Sequence, residues 1–196
     1  MDKHIQTMKN LLINYHKDAR DMMKQSAENG RVYKPEEAER INAQIRERLA
    51  KTKDDVKAQI MDARDMGRSA AERWGHIDGA KITEDARLLE RGTLSPEQFN
   101  ALAKKYKDNA TMGDLLLKYA EEKGSGGFTA GWNFSGNEQK KPCYDTSMLI
   151  TGQQKAAVYD RAAEAALAIL DKIDNPSPYN IMLDDTVEHF GDGIEV

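Results

Sequence analysis

From Ala38 to Trp74 the apolar or small residues recur at intervals of three and four: Ala38, Ile41, Ile45, Leu49, Thr52, Val56, Ile60, Ala63, Gly67, Ala70 and Trp74. The stretch holds no proline and one glycine. Such spacing places one stripe along one face of a continuous helix. Two eleven-residue units precede two heptads, so the stripe runs nearly straight and then turns left-handed. At ~1.5 Å per residue the rod is about 55 Å long. That exceeds the diameter of a small domain, so the stripe calls for cover from a second segment or a second chain. Its distal half is built from Ala63, Gly67 and Ala70, which gain little hydrophobic energy per layer. A weak, reversible coiled coil or a kink at Gly67 is the expectation there.

An earlier heptad stripe comprises Ile5, Met8, Leu12, Tyr15, Ala19, Met22 and Ser26, and Asn29-Gly30 reads as its C-terminus. Pro35 suits the first turn of the following rod, with Glu36, Glu37 and Glu39 at its positive end. Residues 1–74 are therefore expected to form a helical hairpin or coiled coil. Residues 75–123 read as a small helical unit. A short helix ends at Gly92, and "LSPEQF" supplies a capping box from Ser95 and Gln98 with a Leu94–Phe99 staple. Thr111 is the expected cap of the next helix, which Gly124 terminates.

Residues 124–151 break all periodicity. Five glycines with Phe128, Trp132, Phe134 and Tyr144 make a Gly/aromatic loop, hairpin-like in composition. It is either a lid folded back on the helical unit or a docking segment for a partner. Residues 152–196 give a C-terminal helix with an Ala-rich face (Ala162, Ala165, Ala166), then an acidic tail expected to be solvated. The fold class is mostly α: a long N-terminal hairpin, the small unit, the loop and the C-terminal helix.

Charge sharpens this picture. The net charge of −4 hides a front (1–74) at +3 and a back (124–196) at −6. The two ends can attract one another or separate partners. Charged residues make up 32% and hydrophobic ones 39%, which suits long solvated helix faces. No apolar run reaches membrane length, and the opening residues lack a signal-peptide core, so a cytoplasmic setting without membrane partners is expected.

Candidate chemistry is sparse. His4, His16, His76 and His189 lack metal-ligand spacing, and the acidic tail lacks a calcium-loop pattern, so neither metal nor cofactor is expected. Single Cys143 rules out an internal disulfide and has no base at a recognisable offset. No P-loop, dinucleotide fingerprint or nucleophile elbow occurs. An enzyme centred on the loop near Cys143 and Tyr144 is the weakest of three readings, and no catalytic residues are assigned. A nucleic-acid-binding regulator would use the 96–123 helix pair and Lys104, Lys105 and Lys107, although acidic and apolar residues occupy the base-reading end. The leading reading is a non-enzymatic assembly protein, a homo-oligomer self-associating through Ile41, Ile45, Leu49, Val56, Ile60 and Trp74. Phe128, Trp132, Phe134 and Tyr144 are the candidate partner-binding residues.

The stretch "LSPEQFNALAKKYKDNATMGDLLLKYAEEKG", Leu94 to Gly124, resembles a segment of helical head-region proteins, scaffold-like or head-associated, of tailed phages and prophages. The likeness rests on the capped helix, "KYKDN", the threonine-methionine start and "YAE". It implies a virion-assembly setting, with capsid or portal proteins as partners, and transfers no site residues.

Overall fold

The computed structural model describes residues 2–92, 94–126, 142–173 and 183–194. They are mostly helical: α1 (Lys3–Val32), α2 (Pro35–Gly75), α3 (Ala86–Arg91), α4 (Pro96–Lys105), α5 (Ala110–Lys123), α6 (Gly152–Ile173) and α7 (Leu183–Glu188). Two short strands, β1 (Ser125–Gly126) and β2 (Cys143–Tyr144), pair in parallel, so the hairpin suggested by the loop's composition is not what closes it. The chain divides into two compact units, residues 1–69 with 156–196 and residues 70–155. This differs from the four consecutive segments expected from the sequence, because the C-terminal helix joins the N-terminal hairpin.

In the first unit α1 is the central element. Ile5, Met8, Leu12, Tyr15 and Ala19 are at most 1% exposed, as the heptad stripe requires. Asp2 caps the helix by accepting from the His4 amide at 2.8 Å. The helix runs past Asn29-Gly30 to Val32, because Asn29 has a use other than termination. Its amide donates to Asn42 Oδ1 on α2 (2.9 Å), and the Asn42 amide donates to the Ser26 carbonyl (3.3 Å). A polar pair within an otherwise apolar seam fixes register at some cost in stability.

Helix α6 lies antiparallel to α2. Lys53 meets Asp171 at 3.0 Å and Arg68 meets Asp160 at 2.8 Å, so the chain runs up one helix and down the other. Ala162, Ala163 and Ala166 are nearly fully buried, and their size admits a close approach, whereas Ala165, expected on this face, is exposed and Ala163 takes its place. Gly67 is where the approach is closest: a Cβ there would overlap the Tyr159 ring. The helix therefore passes through Gly67 unbroken, and the glycine serves packing rather than a kink. The acidic tail is not wholly solvated either. Leu183, Val187 and Phe190 are buried, and α7 lies along α1 through ion pairs of Asp184 with Arg20 (3.0 Å) and Asp192 with Lys9 (3.1 Å). Basic front and acidic back thus attract one another within this unit.

The second unit has its own core of Phe99, Ala103, Tyr106, Met112, Leu116, Tyr119, Tyr144 and Leu149. The capping box of α4 forms as its residues demand: Ser95 Oγ accepts from the Gln98 amide (3.3 Å) and Gln98 Oε1 from the Ser95 amide (2.9 Å). Gly92, at φ +69°, ends α3. The cap of α5 is Asn109, accepting from the Met112 amide at 3.2 Å, rather than Thr111. Thr111 is buried one residue into the helix, where its hydroxyl accepts the Asp78 amide at 2.9 Å. The last turn of α2 meets the first residue of α6 here. A Cβ on Gly75 would come within 2.6 Å of the Gly152 Cα, so two glycines allow backbone to touch backbone.

Gly67→Ala tests the α2–α6 contact. Helix propensity alone favours alanine by ~1 kcal/mol, whereas overlap with a packed ring costs about 1–3 kcal/mol. Urea denaturation should show a net loss of about 1 kcal/mol, and a net gain would show that Tyr159 is free to yield.

Candidate functional site

The residues assigned to self-association are placed very differently from one another. Val56 and Ile60, at 6% and 0% exposure, lie in the core of the first unit. Ile45 is also buried, while Ile41 and Leu49 are half-buried on the same seam. Trp74 falls in the second unit and is capped by the Lys155 ammonium, 4.1 Å from its ring centroid. The expectation that this stripe is the surface for a second chain is therefore corrected for Ile45, Val56 and Ile60, which the chain's own fold buries. Folding back α6 costs less entropy than recruiting another molecule, and it covers the small distal half of the stripe.

What the fold leaves over is the tip of the hairpin. The last described ion pairs between α2 and α6 are at Lys53 and Lys57, both of which meet Asp171. Beyond them α2 continues back to Pro35, a further ~27 Å at 1.5 Å per residue. Here α1 meets α2 through the Asn29–Asn42 pair and the Asn42–Ser26 hydrogen bond. Met23, Val32 and Tyr33 are exposed on the ribbon, Val32 by 74%. The outer surface of α2 here is mainly charged, and Glu39 and Arg46 form an ion pair along it.

Of the aromatic partner-binding candidates, Phe128, Trp132 and Phe134 lie outside the described residues. Tyr144 lies within them and is 3% exposed, which corrects its assignment to a docking surface. Its ring packs 4.8 Å from Phe99 and 5.4 Å from Tyr119, centroid to centroid. Its hydroxyl donates to the Leu94 carbonyl (3.1 Å), and the Leu94 amide donates to the Tyr119 hydroxyl (2.9 Å). Gly124 makes room, since a Cβ there would sit 2.6 Å from the Pro142 carbonyl. Tyr144 thus ties the end of the loop back to the helical unit, a structural role that aromatic content alone does not reveal.

The α4–α5 pair presents Lys104 and Lys107 to solvent, but Lys105 is tied to Asp85 at 2.7 Å. The hydrogen bonds from Lys105 and then Tyr106 hold the Asp85 carboxyl below the usual range, and Asp85 in turn raises Lys105. One of the three lysines in the nucleic-acid reading is thereby occupied. The inward face of α5 carries Met112, Leu116 and Tyr119. Cys143 is an exposed free thiol. Among the described residues no group of three or more His, Cys, Asp or Glu could hold a metal, and no helix is long and apolar enough to cross a membrane.

Two of the buried tyrosines, Tyr144 and Tyr159, make the fold sensitive to alkali. Burial first, then the hydrogen bond and field of Tyr119, push Tyr144 up to about 12 from 10.0. Burial, then the Asp2 carboxylate, does the same to Tyr159. The folded state keeps these protons longer than the unfolded chain, so stability is intact below pH 10 and falls between pH 10 and 12. Phenolate absorbance should show Tyr144 and Tyr159 titrating late, together with the loss of helical circular dichroism. Seven tyrosines all titrating near 10 in a still-folded chain would contradict the placement. No protein-family model, curated protein or solved structure matches the chain.

Proposed function

We propose that the chain is a non-enzymatic assembly protein that associates with itself through the tip of its N-terminal hairpin. Its specific form is a scaffold-like or head-associated protein of a tailed phage, with capsid or portal proteins as further partners. The observation that carries the assembly reading is the stretch of α2 from Pro35 to Lys53, whose outer face is exposed and charged. An isolated pair of helices with half-buried Ile41 and Leu49 buries little apolar surface for its length. A segment of that kind contributes little to the stability of its own chain and a great deal of reach. The resemblance of Leu94–Gly124 to head-region proteins supplies the specific setting.

Multi-angle light scattering tests this directly. The intact chain should give a mass above 22.0 kDa that rises with concentration. Removing one heptad from each helix of the tip, residues 22–28 and 43–49, keeps the seam in register and leaves the part of α2 against α6 untouched. That variant should run as single chains with its remaining helix intact. An intact chain that is a single molecule at every concentration would defeat the proposal.

A further inference from the structure

We infer that two copies of this chain meet antiparallel, outer face of α2 against outer face of α2, about a two-fold axis between Ala43 and Gln44. The inference rests on the self-association reading above and specifies its surface and geometry. Glu36, Arg40, Ala43, Gln44, Glu47 and Lys51 follow one another at helical spacing, forming a single stripe, and all six are exposed. The stripe lies on the side of α2 away from the seam residues Ala38, Ile45 and Val56, so it is free of α1.

Its charges are self-complementary under one operation. A two-fold axis between Ala43 and Gln44 sets Glu36 opposite Lys51 of the second copy and Arg40 opposite Glu47, each twice by symmetry. Ala43, the smallest side chain of the six, sits at the centre where the helices approach most closely. Neighbouring registers are less favourable. Moving the axis onto Ala43 sets Glu39 against Glu47 and Arg40 against Arg46, and moving it onto Gln44 sets Arg40 against Arg48, a repulsion that cancels the Glu37–Lys51 attraction of that register. A parallel arrangement in register sets every charge against its own copy. Like charges brought together are what select one geometry over its competitors.

The alternative use of these charges is within the helix, as Glu36–Arg40 and Glu47–Lys51 pairs four residues apart. In this structure none of the four has an ion-pair partner within 4.0 Å among the described residues, whereas Glu39 and Arg46 do pair. The four are therefore available to another molecule. Exposed ion pairs are individually weak and screened, so association is expected to be weak and to weaken further as salt rises.

Charge exchange in the full chain separates the two uses. Arg40→Glu should weaken association at least ~10-fold, since it turns two attractive contacts repulsive. Adding Glu47→Arg should restore it to within about threefold, because the pair is merely exchanged. Within one helix the same double change puts a second acid one turn from Glu36 and a second base one turn from Lys51, so an intrahelical role predicts further loss instead. Cysteine cross-linking in a Cys143→Ser background provides the second readout: Ala43→Cys mixed with Gln44→Cys should form a covalent dimer, and Glu36→Cys should do so only when mixed with Lys51→Cys. An associating chain in which the exchange fails to rescue, or in which Glu36→Cys links to itself, overturns this geometry and leaves the assembly reading intact. A chain that never associates overturns both.

Discussion

The first unit depends on how closely α6 can approach α2, and that approach converges on the ring of Tyr159. Gly67 gives the ring its place, His4 meets it edge-on at 6.0 Å, and Asp2 bonds its hydroxyl. Residues from three helices thus meet around one side chain. Alanines and a glycine bury little apolar area apiece, so the gain comes from numerous close dispersion contacts rather than from large side chains. Such an interface tolerates little added volume, because backbone already lies near backbone.

That contact also determines which surfaces remain. Once α6 occupies the distal half of the α2 stripe, Val56 and Ile60 belong to the monomer and cannot serve another chain. Toward the tip the outer face of α2 presents charge, while Met23, Val32 and Tyr33 are the exposed apolar side chains of the ribbon. An exposed apolar rod of this length would associate indiscriminately, whereas a charged one associates selectively and reversibly. In the second unit, Phe99, Tyr119 and Tyr144 are likewise turned inward, and the two tyrosine hydroxyls satisfy both polar backbone groups of Leu94.

The elements that could be read from sequence are those whose signals are local. The α1 stripe from Ile5 to Ala19 is legible because each position meets the core at the same angle, and the Ser95–Gln98 box because its hydrogen bonds close within one turn. What periodicity cannot state is which segment covers a stripe. The stripe on α2 and the alanine face of α6 are each visible alone, and nothing in their spacing announces that they pack on one another. The same limit explains Asn29, Thr111 and Tyr144. Each belongs to a residue type that favours ends, caps or sticky loops, and each is committed instead to a partner far along the chain: Asn42, Asp78 and Leu94. At the candidate site, exposure of the outer stripe is legible from the eleven-residue units, but whether its four charges pair within the helix depends on side-chain placement that spacing does not fix.

Magnitudes set the conditions under which a tip of this kind works. Four exposed ion pairs at ~0.2–1 kcal/mol each supply at most about 4 kcal/mol. Bringing two free molecules together costs an estimated ~4–15 kcal/mol in lost motion, so these pairs alone hold only a fleeting complex. They become effective where other contacts already keep copies side by side, because the local concentration of tips then reaches millimolar and the entropy of meeting is largely met in advance. A charged antiparallel contact therefore suits a component that enforces orientation within a larger assembly and lets go when ionic conditions or neighbours change. An apolar seam of the same length would bind too tightly to be undone.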